Sequence, residues 1–173
     1  PLLPLVARLA GDGLALLVLG TGAPDLEAEA RRTAARNPER FAFVGKFDEG
    51  LAHRIYAGSD LFLMPSLFEP CGLSQMYALR YGTPPLVRRT GGLADTVVDA
   101  AEPAGNGFVF AEPRPEGLLA ALRRAQAMFA DAAAWRGLQQ RGMACDFGWE
   151  RAAANYEDLY AAAQGESEGR PGP

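Results

Sequence analysis

The sequence predicts an α/β domain built on a doubly wound parallel sheet. Three observations carry this: short unbroken apolar runs recur, each is followed by a stretch of helix formers, and glycine or proline turns punctuate the joins. The run Leu14-Ala15-Leu16-Leu17-Val18-Leu19, closed by Gly20, has the length and continuous apolarity of a strand buried on both faces. Asp25 is placed to cap a helix through Arg36, which Asn37-Pro38 stops. The pattern repeats: strand over 41–44, helix from 48 to about 58, strand over 61–64, helix over 72–81, strand over 85–87 and helix over 93–98. After Gly105-Asn106-Gly107 the segment 108–110 reads as one more strand, and alanine-rich helices follow to Tyr160. Leu2, Leu5, Val6 and Leu9 fall at helical spacing and predict a helix ahead of the first strand. The chain thus divides into one domain, 1–162, and a polar, glycine- and proline-rich tail, 163–173, expected to be disordered.

With 173 residues and 49% hydrophobic content, the chain can bury one sizeable core. A formal charge of −4 argues against nucleic acid as a partner, because such affinity rests on lysine and arginine neutralising phosphates. No apolar run approaches the roughly 20 residues that span a bilayer. The start Pro1-Leu2-Leu3-Pro4 lacks the basic region of a signal peptide, so a cytoplasmic location is expected. Two cysteines and one histidine give neither a disulfide framework nor a zinc site, and the expectation is a protein without metal or cofactor.

The chemistry concentrates between Pro65 and Gly92. Pro65-Ser66-Leu67-Phe68-Glu69-Pro70 is a rigid loop at the carboxyl end of a predicted strand, where open α/β sheets bind ligands. Helix formers resume after Gly72, and a second corner, Thr90-Gly91-Gly92, follows the next strand. Two helix starts rich in N–H donors beside the Glu69 carboxylate suit a ligand that is part phosphate and part polyol. In this reading the amides of Cys71, Gly72 and Leu73 meet sugar hydroxyls, and those of Thr90, Gly91 and Gly92 meet a phosphate. By composition alone Glu69 reads as a surface loop glutamate; beside these donors its carboxylate becomes the candidate to stabilise developing positive charge or to hold polyol hydroxyls in a reactive pose. No second acidic residue lies in its loop, so a covalent glycosyl intermediate lacks support. Cys71 as a nucleophile would need a base, and His53 is the only histidine. Gly20-Thr21-Gly22-Ala23-Pro24-Asp25 fails the dinucleotide fingerprint, since Asp25 takes the third glycine position; an oxidoreductase fold is disfavoured accordingly.

Phe68-Glu69-Pro70-Cys71-Gly72-Leu73-Ser74-Gln75, Tyr81-Gly82-Thr83 and Arg88-Arg89-Thr90-Gly91-Gly92-Leu93-Ala94-Asp95-Thr96-Val97 closely resemble the C-terminal domain of bacterial glycogen synthase and plant starch synthase. Leu19-Gly20-Thr21-Gly22, Ala52-His53-Arg54-Ile55 and Asp146-Phe147-Gly148-Trp149 extend the likeness to about Tyr160. The resemblance implies a retaining transfer of glucose from ADP-glucose to the end of an α-1,4-glucan, in a cleft between two Rossmann-like domains. It implies that Gly20, Thr21 and Gly22 border the nucleotide and that Phe47 stacks on adenine; a half-buried loop phenylalanine is the alternative for Phe47. Tyr77 stands where many related transferases have a second glutamate, Leu67 where this branch usually has arginine, and Ser74 where it has threonine or asparagine. His53 reads as a hydrogen-bonded helix residue on the cleft floor, Arg88 and Arg89 as a positive field or a solvated pair, and Asp146-Phe147-Gly148-Trp149 as an anchor of the last helix by aromatic burial. The resemblance further implies a first strand and an acceptor-side N-terminal domain that the sequence lacks. The rival reading is a non-catalytic module that binds a nucleotide sugar or a partner domain without turnover.

Overall fold

The computed structural model describes residues 13–168, so the helix expected over 2–9 and residues 169–173 lie outside the described part. Strands and helices alternate as β1 (Leu16–Leu19), α1 (Pro24–Arg36), β2 (Phe41–Val44), α2 (Glu49–Gly58), β3 (Phe62–Met64), α3 (Ser74–Arg80), β4 (Pro85–Arg88), α4 (Gly91–Thr96) and β5 (Phe108–Phe110). Three helices follow: α5 (Pro115–Phe129), α6 (Ala132–Met143) and α7 (Trp149–Glu168). The last of these runs into the stretch read from sequence as a tail.

All strand pairings are parallel, β1 with β2 and β3 with β4 with β5, matching the expected α/β alternation. The two groups are not hydrogen-bonded to one another. A trough of about 1580 Å³ has Leu16, Leu17, Val18 and Leu19 of one group and Leu61, Phe62 and Leu63 of the other among its walls. Leu16 and Gly20 donate their N–H groups to Arg40 and Val44 of the β2 side, and Phe62 donates to Pro84 of the β4 side. Main-chain groups alternate along a strand, so those of Leu17, Leu19 and Leu63 are directed away from these partners.

The core is two-sided, as a parallel sheet requires. Leu86, Phe108 and Phe110 pack with Leu118, Leu119, Leu122, Trp135 and Leu138 of α5 and α6. The alternate residues Val87 and Val109 pack on the other face with Leu93 and Val97. This doubly covered sheet holds the loops after β3 and β4 at one end.

Two local expectations change. Asp25 does not cap α1: the N-cap is Ala23 and Pro24 is the first helical residue, because its fixed φ suits that position and its missing N–H costs nothing there. Asp25 instead sits in the first turn, beside the positive end of the helix. Phe147 and Trp149 are 41% and 85% exposed, so the segment Asp146-Phe147-Gly148-Trp149 does not anchor the last helix by aromatic burial. Residues 153–164 of α7 are exposed throughout, so that stretch offers no packed face for a ring to wedge under; ahead of the helix, the Asp146 carboxylate accepts from Gly148 N–H at 2.8 Å.

Candidate functional site

Pro65 ends β3 and the chain turns into the loop that carries Glu69. Arg88, at the end of the adjacent β4, grips this loop: its Nε donates to Ser66 O at 2.8 Å and its Nη2 to Leu67 O. Arg88, read from sequence as a source of positive field or a solvated pair, is therefore a loop clamp. Ser66 Oγ is 3.4 Å from Glu69 Oε2, and the Glu69 carboxylate has no ion-pair partner among the described residues. It is half-buried, while Leu67 and Phe68 before it are exposed.

The loop reaches α3 through Gly72, whose φ of 73° lies in the left-handed region that only glycine enters without strain. The amides of Cys71, Gly72 and Leu73 donate to no group among the described residues. The Cys71 thiol is exposed and its nearest polar contact is Gly72 O at 3.9 Å. His53 is engaged elsewhere, with Nδ1 3.1 Å from the Tyr81 hydroxyl and its ring against Tyr56, Tyr77 and Tyr81. That is the hydrogen-bonded helix histidine expected from sequence, and it leaves Cys71 without a base.

The second corner meets the first. Gly92 N–H donates to Glu69 O at 3.1 Å and Pro70 O at 3.3 Å, and Leu93 N–H donates to Thr90 O at 3.1 Å. Of the three residues assigned to a phosphate, Gly92 thus spends its amide on joining the corners, while the Thr90 and Gly91 amides have no acceptor among the described residues. The approach is close enough that a Cβ at Gly92 would overlap the Cys71 carbonyl. Sequence reasoning passed over Gln75, which is fully buried beneath the junction; its signal is a long amide side chain on the inward face of a helix lined by Ala78 and Leu79.

A smaller cavity of about 180 Å³ is lined by Leu19, Gly20, Thr21, Lys46, Phe47, Asp48 and Ala52. It brings together three of the four residues expected beside a nucleotide. Gly22 is not in its lining, and the Gly22 N–H donates to Glu27 Oε1 at 3.0 Å. Phe47 is 89% exposed, which removes the half-buried alternative and leaves a ring face open to solvent. Lys46, unflagged by sequence, lies at the cavity rim 2.8 Å from Asp48. That ammonium and the Leu51 N–H hold the Asp48 carboxyl below its ordinary value. No group of histidine, cysteine and acidic residues fit to hold a metal occurs among the described residues, and no described helix is long and apolar enough to cross a membrane.

The family of glycosyl transferases group 1 matches residues 2–132. A glycogen synthase of Anaeromyxobacter dehalogenans is 59% identical over 157 residues, which are 90% of this chain and 33% of that protein. A glycogen synthase of Thioalkalivibrio sulfidiphilus is 52% identical over 158 residues, 88% of this chain and 32% of that one. The chain therefore spans about one third of the length of the curated relatives it matches. Among solved structures, the catalytic domain of starch synthase IV from Arabidopsis thaliana, bound to ADP and acarbose, superposes with a TM-score of 0.82 at 37% identity, covering 91% of this chain and 34% of that one. A sucrose-phosphate synthase from Thermosynechococcus elongatus superposes with a TM-score of 0.66 at 29% identity, covering 95% and 42%.

Proposed function

The chain belongs to the group 1 glycosyl transferases, and from that premise we propose that it binds the nucleotide-sugar donor of a retaining glucosyl transfer from ADP-glucose to the end of an α-1,4-glucan. Its parallel α/β fold is the Rossmann-like C-terminal half of the two-domain glycosyltransferase architecture. The observation that carries the proposal is the convergence of Glu69, the unbonded amides of Cys71, Gly72 and Leu73, and those of Thr90 and Gly91 on one end of the sheet.

In this reading Phe47 stacks on adenine over the cavity bordered by Gly20 and Thr21. Thr90 and Gly91 donate to the diphosphate, and the loop amides after Glu69 orient the glucose hydroxyls. Glu69 stabilises the positive charge that develops at the anomeric carbon as the diphosphate leaves, a contribution realised mainly in the transition state. The loop offers no second carboxylate to act as a nucleophile, so the proposal includes no glucosyl-enzyme ester. A second domain, supplied by the remaining two thirds of a full-length enzyme, would present the glucan.

Titration of the chain with ADP-glucose, ADP and NAD tests the proposal. Saturable ADP-glucose binding that ADP competes away, with no binding of NAD at matched concentration, is expected. Equal or tighter NAD binding, or no binding of either adenine diphosphate, would remove it.

A further inference from the structure

One buried side chain ties the two corners of the site together. Gln75 is fully buried on α3, and its Nε2 lies 3.2 Å from Cys71 O, 2.7 Å from Gly72 O and 3.1 Å from Thr96 Oγ1. The Thr96 hydroxyl has a single proton, which goes to Gly92 O at 2.7 Å, so towards Gln75 it accepts. Gly92 in turn donates its N–H back to Glu69 O at 3.1 Å. The bonds close a ring that runs from Gly92 through Thr96 and Gln75 to Cys71 and Gly72, back along the main chain to Glu69, and across to Gly92.

The other end of the same amide, Gln75 Oε1, is buried with no partner among the described residues. An unsatisfied buried acceptor is costly, and the bonds made by the donor end offset that cost. The donor end joins the loop after β3, with its three unbonded amides, to Thr96 at the end of α4, twenty-one residues from Gln75, and Thr96 returns the link to Gly92 O beside the two unbonded amides at the start of that helix. Neither α3 nor α4 is long enough to fix that spacing by itself, and the Gly92 backbone sits directly against Cys71.

We infer that Gln75 and Thr96 are positioning residues that set the separation between the sugar-side loop and the phosphate-side turn, so that both halves of one nucleotide sugar are met at once. The inference rests on the donor-site reading for its ligand, but the mechanical coupling is independent of it. Breaking the ring at Thr96 frees the Glu69 loop to drift from α4. ADP, which needs only the phosphate-side turn and the nucleotide cavity, keeps its affinity; ADP-glucose loses the added contribution of its sugar.

Amide hydrogen exchange on the whole 173-residue chain tests the coupling. In Thr96→Val the Gly92 amide should exchange about five to ten times faster, the scale of one lost buried hydrogen bond, while the Leu86 and Val87 amides of β4 keep their protection. Thr96→Ser, which retains the hydroxyl, should restore the wild-type rate. An unchanged Gly92 rate in Thr96→Val, or a Thr96→Ser rate as fast as that of Thr96→Val, overturns the inference. Should Thr96→Val also expose β4, the wild-type chain decides the question: the Gln75 side-chain amide protons and the Gly92 amide should open together, and independent opening overturns the inference. Affinities then separate the two readings. With a sound donor site, Thr96→Val binds ADP within twofold of wild type and ADP-glucose no more tightly than ADP. If wild type binds neither nucleotide, the donor-site reading fails and the exchange result stands by itself.

Discussion

At the residue scale, the adenine-stacking role proposed for Phe47 can be tested by one substitution. An aromatic ring left 89% exposed beside a small cavity is poor packing and a good stacking platform. Phe47→Ala is expected to weaken ADP binding by roughly 1–3 kcal/mol, the scale of base–aromatic stacking, with no change in thermal stability. An unaltered dissociation constant by calorimetry would dissociate Phe47 from the nucleotide. Glu69 and the loop amides stood out in the sequence as candidates because turn residues at strand ends announce themselves locally, and Phe47 did so only through the family resemblance. It did not find the clamp made by Arg88 or the bridge made by Gln75, since both depend on partners that only the fold brings near, Ser66 and Leu67 for the first and Thr96 for the second.

At the element scale, the corner between the loop after β3 and α4 tolerates no side chain. Gly92→Ala would drive a methyl group into the Cys71 carbonyl, and backbone can yield only by separating the two loops. A loss of about 1–3 kcal/mol of stability is expected, measured by urea titration; a variant as stable as wild type would mean the corner is looser than described. A second device ties the segment after α4 to β5 and α5. Asp99 accepts from Arg124 at 2.7 and 2.8 Å and from Val109 N–H at 2.8 Å. The Arg124 guanidinium holds the Asp99 carboxyl down from its ordinary 3.8 to about 2. A carboxyl depressed in the folded state stabilises it at pH values above the unfolded pKa and loses that contribution as pH falls through the folded one. The melting temperature should therefore drop between about pH 4 and pH 2, and Asp99→Asn should be less stable at neutral pH with a shallower acid limb. Equal acid limbs for the two proteins would assign the drop to other carboxylates. Most elements were legible because short apolar runs and their turns carry strand and helix signals locally. The start of α1 was not, because proline at the first helical position outcompeted the aspartate cap. Trp149 misled because aromatic content alone does not say whether a partner surface is there to receive the ring.

At the scale of the whole molecule, the trough between β1 and β3 leaves main-chain groups of Leu17, Leu19 and Leu63 without a strand beside them among the described residues. Apolar walls and open strand edges favour association, so the chain by itself should self-associate as its concentration rises, bind an apolar dye and extend no glucan. A chain that stays monomeric and dye-free at high concentration would contradict this. Glu69, proposed to act on charge developing at the glucosyl carbon, is put to the test in a complete enzyme. The recipient is the Anaeromyxobacter dehalogenans glycogen synthase with this chain in place of its matching third. With ADP-glucose and a glucan primer the chimera should extend the glucan. Glu69→Gln in that chimera should lower kcat by about two to three orders of magnitude, as when one preorganised electrostatic group is removed, with donor affinity nearly unchanged. Turnover within a fewfold of the parent chimera would contradict the claim, and a raised KM with intact kcat would reduce Glu69 to a residue that only positions the donor.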